Sequence, residues 1–135
     1  MGKDNRKLSE SEQKRKKLYE EKKNELLAQG YEEKALANFK GGEKALNARM
    51  HVDENNKIIF GRLEPGASIG EHTHETNSEI IFFTSGKGKV IYDGKEERVE
   101  AGLCHYCPQG HTHTLINDSD ADLTFHAVIP EHPAK

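Results

Sequence analysis

The sequence predicts an all-β domain, built as an antiparallel sandwich or a small barrel and preceded by a charged helical extension. From residue 45 onward, short segments of strand-like composition alternate with turn residues, and no helix-like segment separates them. Between two of these segments lies Asp93-Gly94, which suits the type I′ turn of a hairpin because both central residues need positive φ. Before residue 45, most of the lysines occur together with many glutamates and few large apolar side chains.

The extension, residues 1–44, carries helix signals. Ser9 followed by Glu12 is a capping box, and the run 10–29 is rich in good helix formers. Gly30 suits the end of this helix. A second short helix is predicted over 32–38. We expect no catalytic role for the extension.

The β domain, residues 45–135, is long enough to bury a core. Its predicted strands are eight short segments: 45–52, 58–63, 79–85, 89–92, 96–99, 103–107, 112–117 and 123–129.

Composition argues against several classes of partner. The net charge is −3, and the N-terminal lysines are closely matched by glutamates, as in a solvated helix rather than a nucleic-acid-binding arm. We expect neither nucleic acid nor a membrane as partner, because no segment approaches the ~20 apolar residues of a membrane helix. A signal peptide is not evident either, which predicts a cytoplasmic location.

Cys104 and Cys107 form a C-x2-C pair, a spacing found in redox and zinc sites. On a strand, however, three residues span roughly 10 Å and the two side chains face opposite ways. A disulfide needs Cα atoms within about 7 Å. The interpretation is two independent reduced thiols.

Strand alternation groups several polar residues that are metal-ligand types. His72 and His74 share one face, and Glu79 opens an apolar strand in which a buried charge needs a partner or a metal. With His113 they offer three imidazoles and a carboxylate, a donor set for a divalent transition metal with open positions. From these residues alone, a metal site and a set of polar barrel residues without a metal remain equally good interpretations.

Two spaced motifs contain these residues. They read Gly66-x5-His72-x-His74-x4-Glu79-x6-Gly86 and Gly102-x5-Pro108-x-Gly110-x2-His113-x3-Asn117. Both resemble the signature motifs of the cupin superfamily, apart from Leu103, where relatives often have Asp. The resemblance implies a double-stranded β-helix, or jelly-roll barrel, in which His72, His74, Glu79 and His113 bind one metal ion.

The resemblance implies a metal site but does not identify one function. Cupins include dioxygenases, decarboxylases, isomerases, lyases and proteins that only bind small molecules. One hypothesis is a metal-dependent enzyme of dioxygenase, isomerase or lyase type acting on a small organic molecule. The other is a metal-dependent binding or sensing protein without turnover. Either would use Fe, Mn, Ni, Co, Cu or Zn. Small cupins are often dimers, so a homodimer is expected.

Further residues are candidates for the pocket. His111 is predicted to support a metal ligand or to act as an acid–base residue in the pocket. An exposed turn histidine is an equally good interpretation of His111. Glu75 is a second candidate for proton transfer. Four residues on inward parity are predicted to line the pocket: Ile81, Phe83, Tyr92 and Leu115.

The remaining polar candidates have weaker patterns. His105 and Tyr106 have opposite parity, so one of them faces inward and the sequence leaves open which. His132 is expected to be solvated. Core or surface roles are the default for His51 and His126, and surface cations for Arg49 and Arg62, with substrate binding as the alternative for the two arginines.

Overall fold

A computed structural model describes residues 8–18 and 32–132. The chain divides between Tyr31 and Glu32 into two units. In the first unit, residues 10–18 form a helix. Its capping box is confirmed, since the Glu12 amide donates to Ser9 Oγ at 3.2 Å and Ser9 Oγ lies 3.1 Å from Glu12 Oε1. The rest of the predicted helix, 19–29, and Gly30 lie outside the described residues.

The second predicted helix, 32–38, is wrong. Lys34–Ala37 is instead a strand, β1, which pairs antiparallel with Ala45–Val52. A short 3₁₀ turn, Phe39–Gly41, follows it. The residues of β1 are good helix formers, but the neighbouring strand offers its backbone hydrogen bonds, and such tertiary pairing overrides weak local propensity.

In the part of the chain that the structure describes, ten strands form two antiparallel sheets. In chain order they are β1 (Lys34–Ala37), β2 (Ala45–Val52), β3 (Asn56–Leu63), β4 (Ser68–Thr73), β5 (Glu79–Ser85), β6 (Lys87–Tyr92), β7 (Lys95–Glu100), β8 (Cys104–Cys107), β9 (Thr112–Ile116) and β10 (Leu123–Pro130). One sheet has the order β1-β2-β3-β10-β5-β8, and the other has the order β4-β9-β6-β7. The all-β prediction is confirmed, and the two sheets form the predicted double-stranded β-helix. Neither β1 nor β4 has a counterpart among the predicted strands.

The predicted hairpin is also confirmed. Asp93 and Gly94 join β6 to β7, and both have positive φ, 47° and 83°. This is the type I′ geometry that the dipeptide indicates.

The core lies between the two sheets and is formed by alternate residues of facing strands. Its largest fully buried apolar side chains include Phe125, Leu46, Leu63, Ile81 and Leu115. Gly61 leaves room for Phe125, because a Cβ at that position would overlap the Phe125 ring. This packing fills one part of the interior with apolar side chains.

Near the first of the two spaced motifs, the 3₁₀ turn packs tightly against β4. A Cβ on Gly42 would overlap the backbone of Ser68, and a Cβ on Gly70 would overlap the carbonyl of Lys40. Two glycines are therefore needed where these backbones meet. The close approach fixes Phe39 and Lys40 at the edge of the interior, where a cavity opens.

Candidate metal centre

Three histidines and one glutamate converge in the interior: His72, His74, Glu79 and His113. His72 and His113 are paired across β4 and β9 of the four-stranded sheet. His74 follows β4 directly, and Glu79 begins β5 in the other sheet. The backbone amide of His74 donates to the carbonyl of His111 at 3.1 Å, which holds the two motifs together. The fold thus brings together the four residues predicted to bind metal.

Their donor atoms lie within 4.8 Å of one another. The Nε2 atom of His113 is 3.0 Å from Nε2 of His74 and 3.1 Å from Nε2 of His72. Glu79 Oε1 is 2.8 Å from Nε2 of His113, 3.1 Å from that of His74 and 3.8 Å from that of His72. Three of the four residues are buried, and His72 is partly exposed toward the cavity.

Each imidazole points Nε2 into the cluster because its Nδ1 has a separate partner. Nδ1 of His72 lies 2.7 Å from the carbonyl oxygen of Gly70, and Nδ1 of His74 lies 2.6 Å from Oδ1 of Asn77. Nδ1 of His113 lies 3.0 Å from Nε2 of His105. Metal-binding histidines usually donate their second ring N–H in this way, which orients the ring.

The donor set fits one divalent transition metal. Nitrogen and oxygen ligands bind such ions at about 2.0–2.2 Å, so neighbouring ligand atoms lie roughly 3 Å apart. The distances from Nε2 of His113 to the other three residues, 2.8–3.1 Å, fall close to that value, whereas Glu79 and His72 are 3.8 Å apart. Imidazole and carboxylate together suit Fe, Mn, Ni, Co, Cu or Zn and do not choose among them.

The electrostatics of the cluster also suit a cation. Burial disfavours the charged form of Glu79, but hydrogen bonds from His113, His72 and His74 outweigh it and hold the pKa of Glu79 well below its usual range. Burial likewise opposes protonation of His74, yet hydrogen bonds to Glu79 and Asn77 raise its pKa. At His113 burial prevails over the bond to Glu79, and the pKa of His113 is lowered. The interior therefore holds an ionised carboxylate surrounded by imidazoles.

Two further residues face this interior from β8. Burial, followed by the charge of His113, lowers the pKa of His105 to about 4, so His105 is neutral. Burial and the charge of Glu79 raise the pKa of Cys107 to about 12, so its thiol is protonated. Cys104, on the opposite face of the strand, is exposed, and both cysteines are free. The two thiols are therefore independent of each other, as predicted, and their reduced state stays a prediction.

A cavity of about 260 Å³ opens beside the cluster. Its wall includes three of the four cluster residues, His72, His74 and Glu79, together with two lysines, Lys40 and Lys57. The remaining wall comes from Phe39 of the 3₁₀ turn, from Glu75, Thr76 and Asn77 after β4, and from the strand residues Ile59, Ile69, Thr73 and Ile129.

The residues predicted to line the pocket do not line this cavity. Ile81, Phe83 and Leu115 lie in the apolar core, and Tyr92 packs against that core. Alternation correctly directs Ile81, Phe83 and Leu115 inward, but it does not say how far along the barrel the interior is open. Apolar side chains fill the part of the interior that lies away from the 3₁₀ turn, and the cavity opens beside that turn.

His111, predicted to be an acid–base residue, is likewise not in the cavity wall. Its Nδ1 lies 2.5 Å from Oδ2 of Asp93 on the β6–β7 turn and 3.2 Å from the hydroxyl of Tyr92. The Tyr92 and His111 rings are stacked, with 15° between their planes. Glu75, the other candidate for proton transfer, does line the cavity.

Of the other predicted positions, His105 contacts the cluster residue His113, and none of the rest is a cluster residue. Tyr106 is exposed and His105 is buried, which settles the choice that the sequence left open. His51 contacts Asp53 at 3.3 Å, and the exposed His126 packs edge-on against Phe60. His132 is exposed, as predicted, and its Nε2 lies 2.9 Å from Oγ of Ser78.

Arg62 and Arg49 lie beside a different, shallow cavity. Arg62 is paired with Glu33 at 2.6 Å, and also with Glu64 and Asp122 at 3.4 and 3.3 Å. These carboxylates occupy the N–H donors of the Arg62 guanidinium. Arg62 is not in the wall of the cavity beside the donor cluster.

Sequence reasoning missed several residues of the site. Lys57 has the inward parity of Ile59 on β3, a signal that would have placed it in the interior had the strand been extended to Asn56. Asn77 connects His74 to Glu131, whose carboxylate accepts from Asn77 Nδ2 at 2.8 Å. Nothing in the local sequence pattern predicts that long-range contact.

The comparisons with known proteins agree with the fold. Residues 59–129 match the family model described as Cupin domain. The chain belongs to the cupin family. A protein of Thermotoga maritima named oxalate-binding protein is 32% identical to this cupin over 100 residues, covering 70% of this chain and 83% of that protein.

Two solved structures show the same likeness. One, from Thermotoga maritima and described as a predicted oxalate decarboxylase, has a TM-score of 0.72 at 26% identity and covers 76% of this chain and 95% of its own. The other is a Cupin 2 conserved barrel domain protein from Salinispora arenicola, with a TM-score of 0.57 at 27% identity. The match covers 64% of this chain and 76% of that protein. In the residues that the structure describes, no helix is long and apolar enough to cross a membrane.

Proposed function

We propose that this cupin binds one divalent transition metal through His72, His74, Glu79 and His113, and takes a small carboxylate, with oxalate as the first candidate, in the adjoining cavity. The observation that carries the proposal is the pair of lysines, Lys40 and Lys57, in the wall of a cavity that also contains the donor cluster. A relative named oxalate-binding protein supports the choice of ligand.

The charge balance favours an anionic ligand. A metal dication facing the carboxylate of Glu79 leaves net positive charge in the cluster, and the two lysines of the cavity wall outnumber its one further carboxylate, Glu75. Lys57 occupies the first inward position of β3, on the same face as Ile59, and its side chain forms part of the cavity wall. Lys40 is held nearby by the packed 3₁₀ turn.

The size of the cavity favours a small ligand. Pockets for drug-sized molecules measure about 300–1,000 Å³, and this cavity is about 260 Å³. A bound metal would supply open positions that a dicarboxylate can chelate, while the lysines hold the outer oxygens. Phe39, Ile59, Ile69 and Ile129 form the apolar part of the wall, which limits the water around the ligand.

Calorimetry of the metal-loaded full chain tests this function. Oxalate is titrated against the protein loaded with Mn²⁺, Co²⁺ or Zn²⁺, with oxamide as an uncharged ligand of the same shape. We expect oxalate to bind, oxamide to bind far more weakly, and metal-free protein to bind neither. Equal binding of oxamide, or undiminished binding after metal removal, would contradict the proposal.

A matched pair of variants locates the ligand. Lys57→Met removes the charge from the cavity but keeps the length of the side chain, and we expect oxalate affinity to fall about tenfold or more. Lys95→Met makes the same change on the exposed β7 strand and should leave the affinity unchanged. Equal effects of the two variants would place oxalate elsewhere.

Turnover is the second candidate function, and Glu75 is the observation that favours it. Glu75 lines the cavity and is not part of the donor cluster, so its carboxyl group is available to deliver a proton. Of the enzyme classes expected from the sequence, a lyase matches the relative described as a predicted oxalate decarboxylase. The balanced reaction converts oxalate dianion and one proton into formate and carbon dioxide.

Formate production distinguishes turnover from binding alone. We expect Glu75→Gln to lose formate production while oxalate affinity is kept. Binding of oxalate with no formate from wild-type protein in any metal form would leave the binding function and eliminate the lyase.

The homodimer and the cytoplasmic location stay predictions. The outer face of the six-stranded sheet carries the exposed aromatic side chains Phe60, Phe82 and Tyr106, on which a second copy would pack. Light scattering during size-exclusion chromatography measures the molar mass of the protein. The same measurement on the Phe82→Lys variant tests whether two copies associate through that surface.

A further inference from the structure

We propose that His105 is a positioning residue for the metal centre, accepting a hydrogen bond at Nε2 from Nδ1 of His113 and so directing the Nε2 lone pair of His113 at the metal. The inference rests on the metal binding proposed above. It adds a residue outside the donor cluster, from a strand that supplies none of the four ligands.

The geometry of the two rings supports this role. His105 is an inward residue of the edge strand β8, paired with Ile81 of β5, and is only 5% exposed. Its Nε2 lies 3.0 Å from Nδ1 of His113, with 30° between the ring planes. The ring centroids are 5.2 Å apart, so the two rings meet through these nitrogen atoms rather than face to face, which suits an N–H···N hydrogen bond.

The tautomers follow from the chemistry of imidazole. A neutral imidazole has one N–H and one nitrogen lone pair. If the metal takes the lone pair on Nε2 of His113, the hydrogen of His113 must be on Nδ1, and that N–H must donate. Nε2 of His105 must then be the acceptor, with the hydrogen of His105 on Nδ1. The reverse arrangement would put a hydrogen on Nε2 of His113, facing the metal, and would block binding.

His113 differs in this respect from the other two histidines. The partners of His72 and His74 are oxygen atoms, the carbonyl of Gly70 and the side-chain carbonyl of Asn77, and such atoms only accept. His105 is a partner that is able either to donate or to accept. Its tautomer is therefore coupled to the metal-binding tautomer of His113, and this coupling exists at only one of the three histidines in the cluster.

Tyr92 holds the other side of His105. Its ring meets the His105 ring edge-on, with centroids 5.6 Å apart and 78° between the planes. The Tyr92 hydroxyl in turn lies 3.2 Å from Nδ1 of His111. His105 is thus enclosed between Tyr92 and His113, which limits its rotation and keeps Nε2 directed at the metal ligand.

Nitrogen NMR of the wild-type full chain tests the tautomers without any substitution. Long-range proton–nitrogen spectra of the ¹⁵N-labelled protein report, for each histidine, which ring nitrogen carries a hydrogen. With Zn²⁺ bound, we expect Nε2 of His72, His74 and His113 to be metal-bound, and His105 to be neutral with its hydrogen on Nδ1. A His105 with hydrogen on Nε2, in protein that binds zinc through the three histidines, would overturn this inference alone. Failure of zinc to bind the three histidines would overturn the proposed metal site and this inference together.

Two variants separate hydrogen bonding from packing. His105→Gln replaces Nε2 with an oxygen acceptor, whereas His105→Met has similar size and no comparable acceptor. In competition titrations with a chelator, we expect His105→Met to bind Zn²⁺ about 10–100-fold more weakly than wild type. We expect His105→Gln to recover most of that loss, because its Oε1 accepts the His113 N–H.

A third variant is the control for the change of residue type. His126→Met makes the same replacement on the outer face of β10 and should bind Zn²⁺ like wild type. Wild-type affinity in His105→Met would overturn the inference. So would equal losses in the Gln and Met variants, since they would trace the effect to packing. If His105→Met does not fold, as judged by circular dichroism, the wild-type NMR experiment decides.

Discussion

His111 and His113 lie two residues apart in the same motif, yet they occupy different environments. His113 is 2% exposed and faces the interior with the other cluster histidines. The side chain of His111 is 44% exposed and contacts the carboxylate of Asp93 on a surface turn. Alternation along a strand would have placed them on the same face.

The difference shows where alternation stops being informative. Strand β9 begins at Thr112, so His111 belongs to the turn that includes Pro108 and Gly110. Gly110 has a φ of 88°, and its neighbour His111 leaves the pleated geometry that gives alternation its meaning. A shared residue type and spacing therefore predict a shared face only within one continuous strand.

The largest effect that distinguishes the two histidines is on metal affinity. Removing a donor atom from the cluster costs more than removing an outer partner, so His113→Ala should weaken Zn²⁺ binding by more than about 100-fold. His111→Ala should change it little, because the side chain of His111 bonds to Asp93 and Tyr92 and to none of the four cluster side chains. Chelator competition measures both. His132→Ala, at an exposed position, is the control, and equal losses in all three variants would refute the assignment of His113.

A second, intermediate effect is the pH dependence of metal binding. Despite burial, hydrogen bonds to Glu79 and Asn77 raise the pKa of His74, so the metal-free cluster holds a proton there to higher pH than an ordinary histidine. Binding must displace that proton. Zinc affinity should therefore be level above the raised pKa and fall about tenfold per pH unit below it.

Titrations at several pH values, with proton release measured by calorimetry in two buffers, test this slope. His111→Ala should leave it unchanged, because His111 is outside the cluster. An affinity that does not fall in acid would show that His74 is not a ligand.

The smallest effect concerns the surface turn. A hydrogen bond from the Thr112 amide, and then one from His111, lower the pKa of Asp93. The ionised carboxylate therefore stabilises the folded state above the unfolded-state pKa of about 3.9, and this contribution is lost as pH falls through the lowered folded-state pKa. Asp93→Asn keeps a residue that tolerates positive φ but removes the charge.

Thermal melts should show Asp93→Asn below wild type by less than about 4 °C near neutral pH, since exposed pairs contribute little. In acid the two proteins should melt together. A difference that grows in acid would contradict the assigned role of Asp93, and a change in zinc affinity would contradict the separation of the turn from the metal centre.

Much of this protein was determined by local sequence. Periodic strand segments, the Asp93-Gly94 turn and the spacing of the two motifs predicted the all-β barrel and the four residues that converge in it. These features depend on short-range chemistry: positive φ at turns, alternation within strands, and the cost of burying the charge of Glu79 without a partner. The turn and the alternation can be predicted because each is satisfied within a few residues, whereas the set of four ligands followed from the resemblance of the two motifs to those of cupins.

Only the tertiary structure decided the rest. Lys34–Ala37 became a strand because β2 lies beside it, and His105 became the partner of His113 because β8 and β9 bring the two rings together. The cavity is lined by Lys57 and the 3₁₀ turn rather than by Ile81, because the depth of open space depends on how both sheets fill the interior. Contacts between residues distant in sequence depend on the packing of the whole barrel, and no local pattern encodes them.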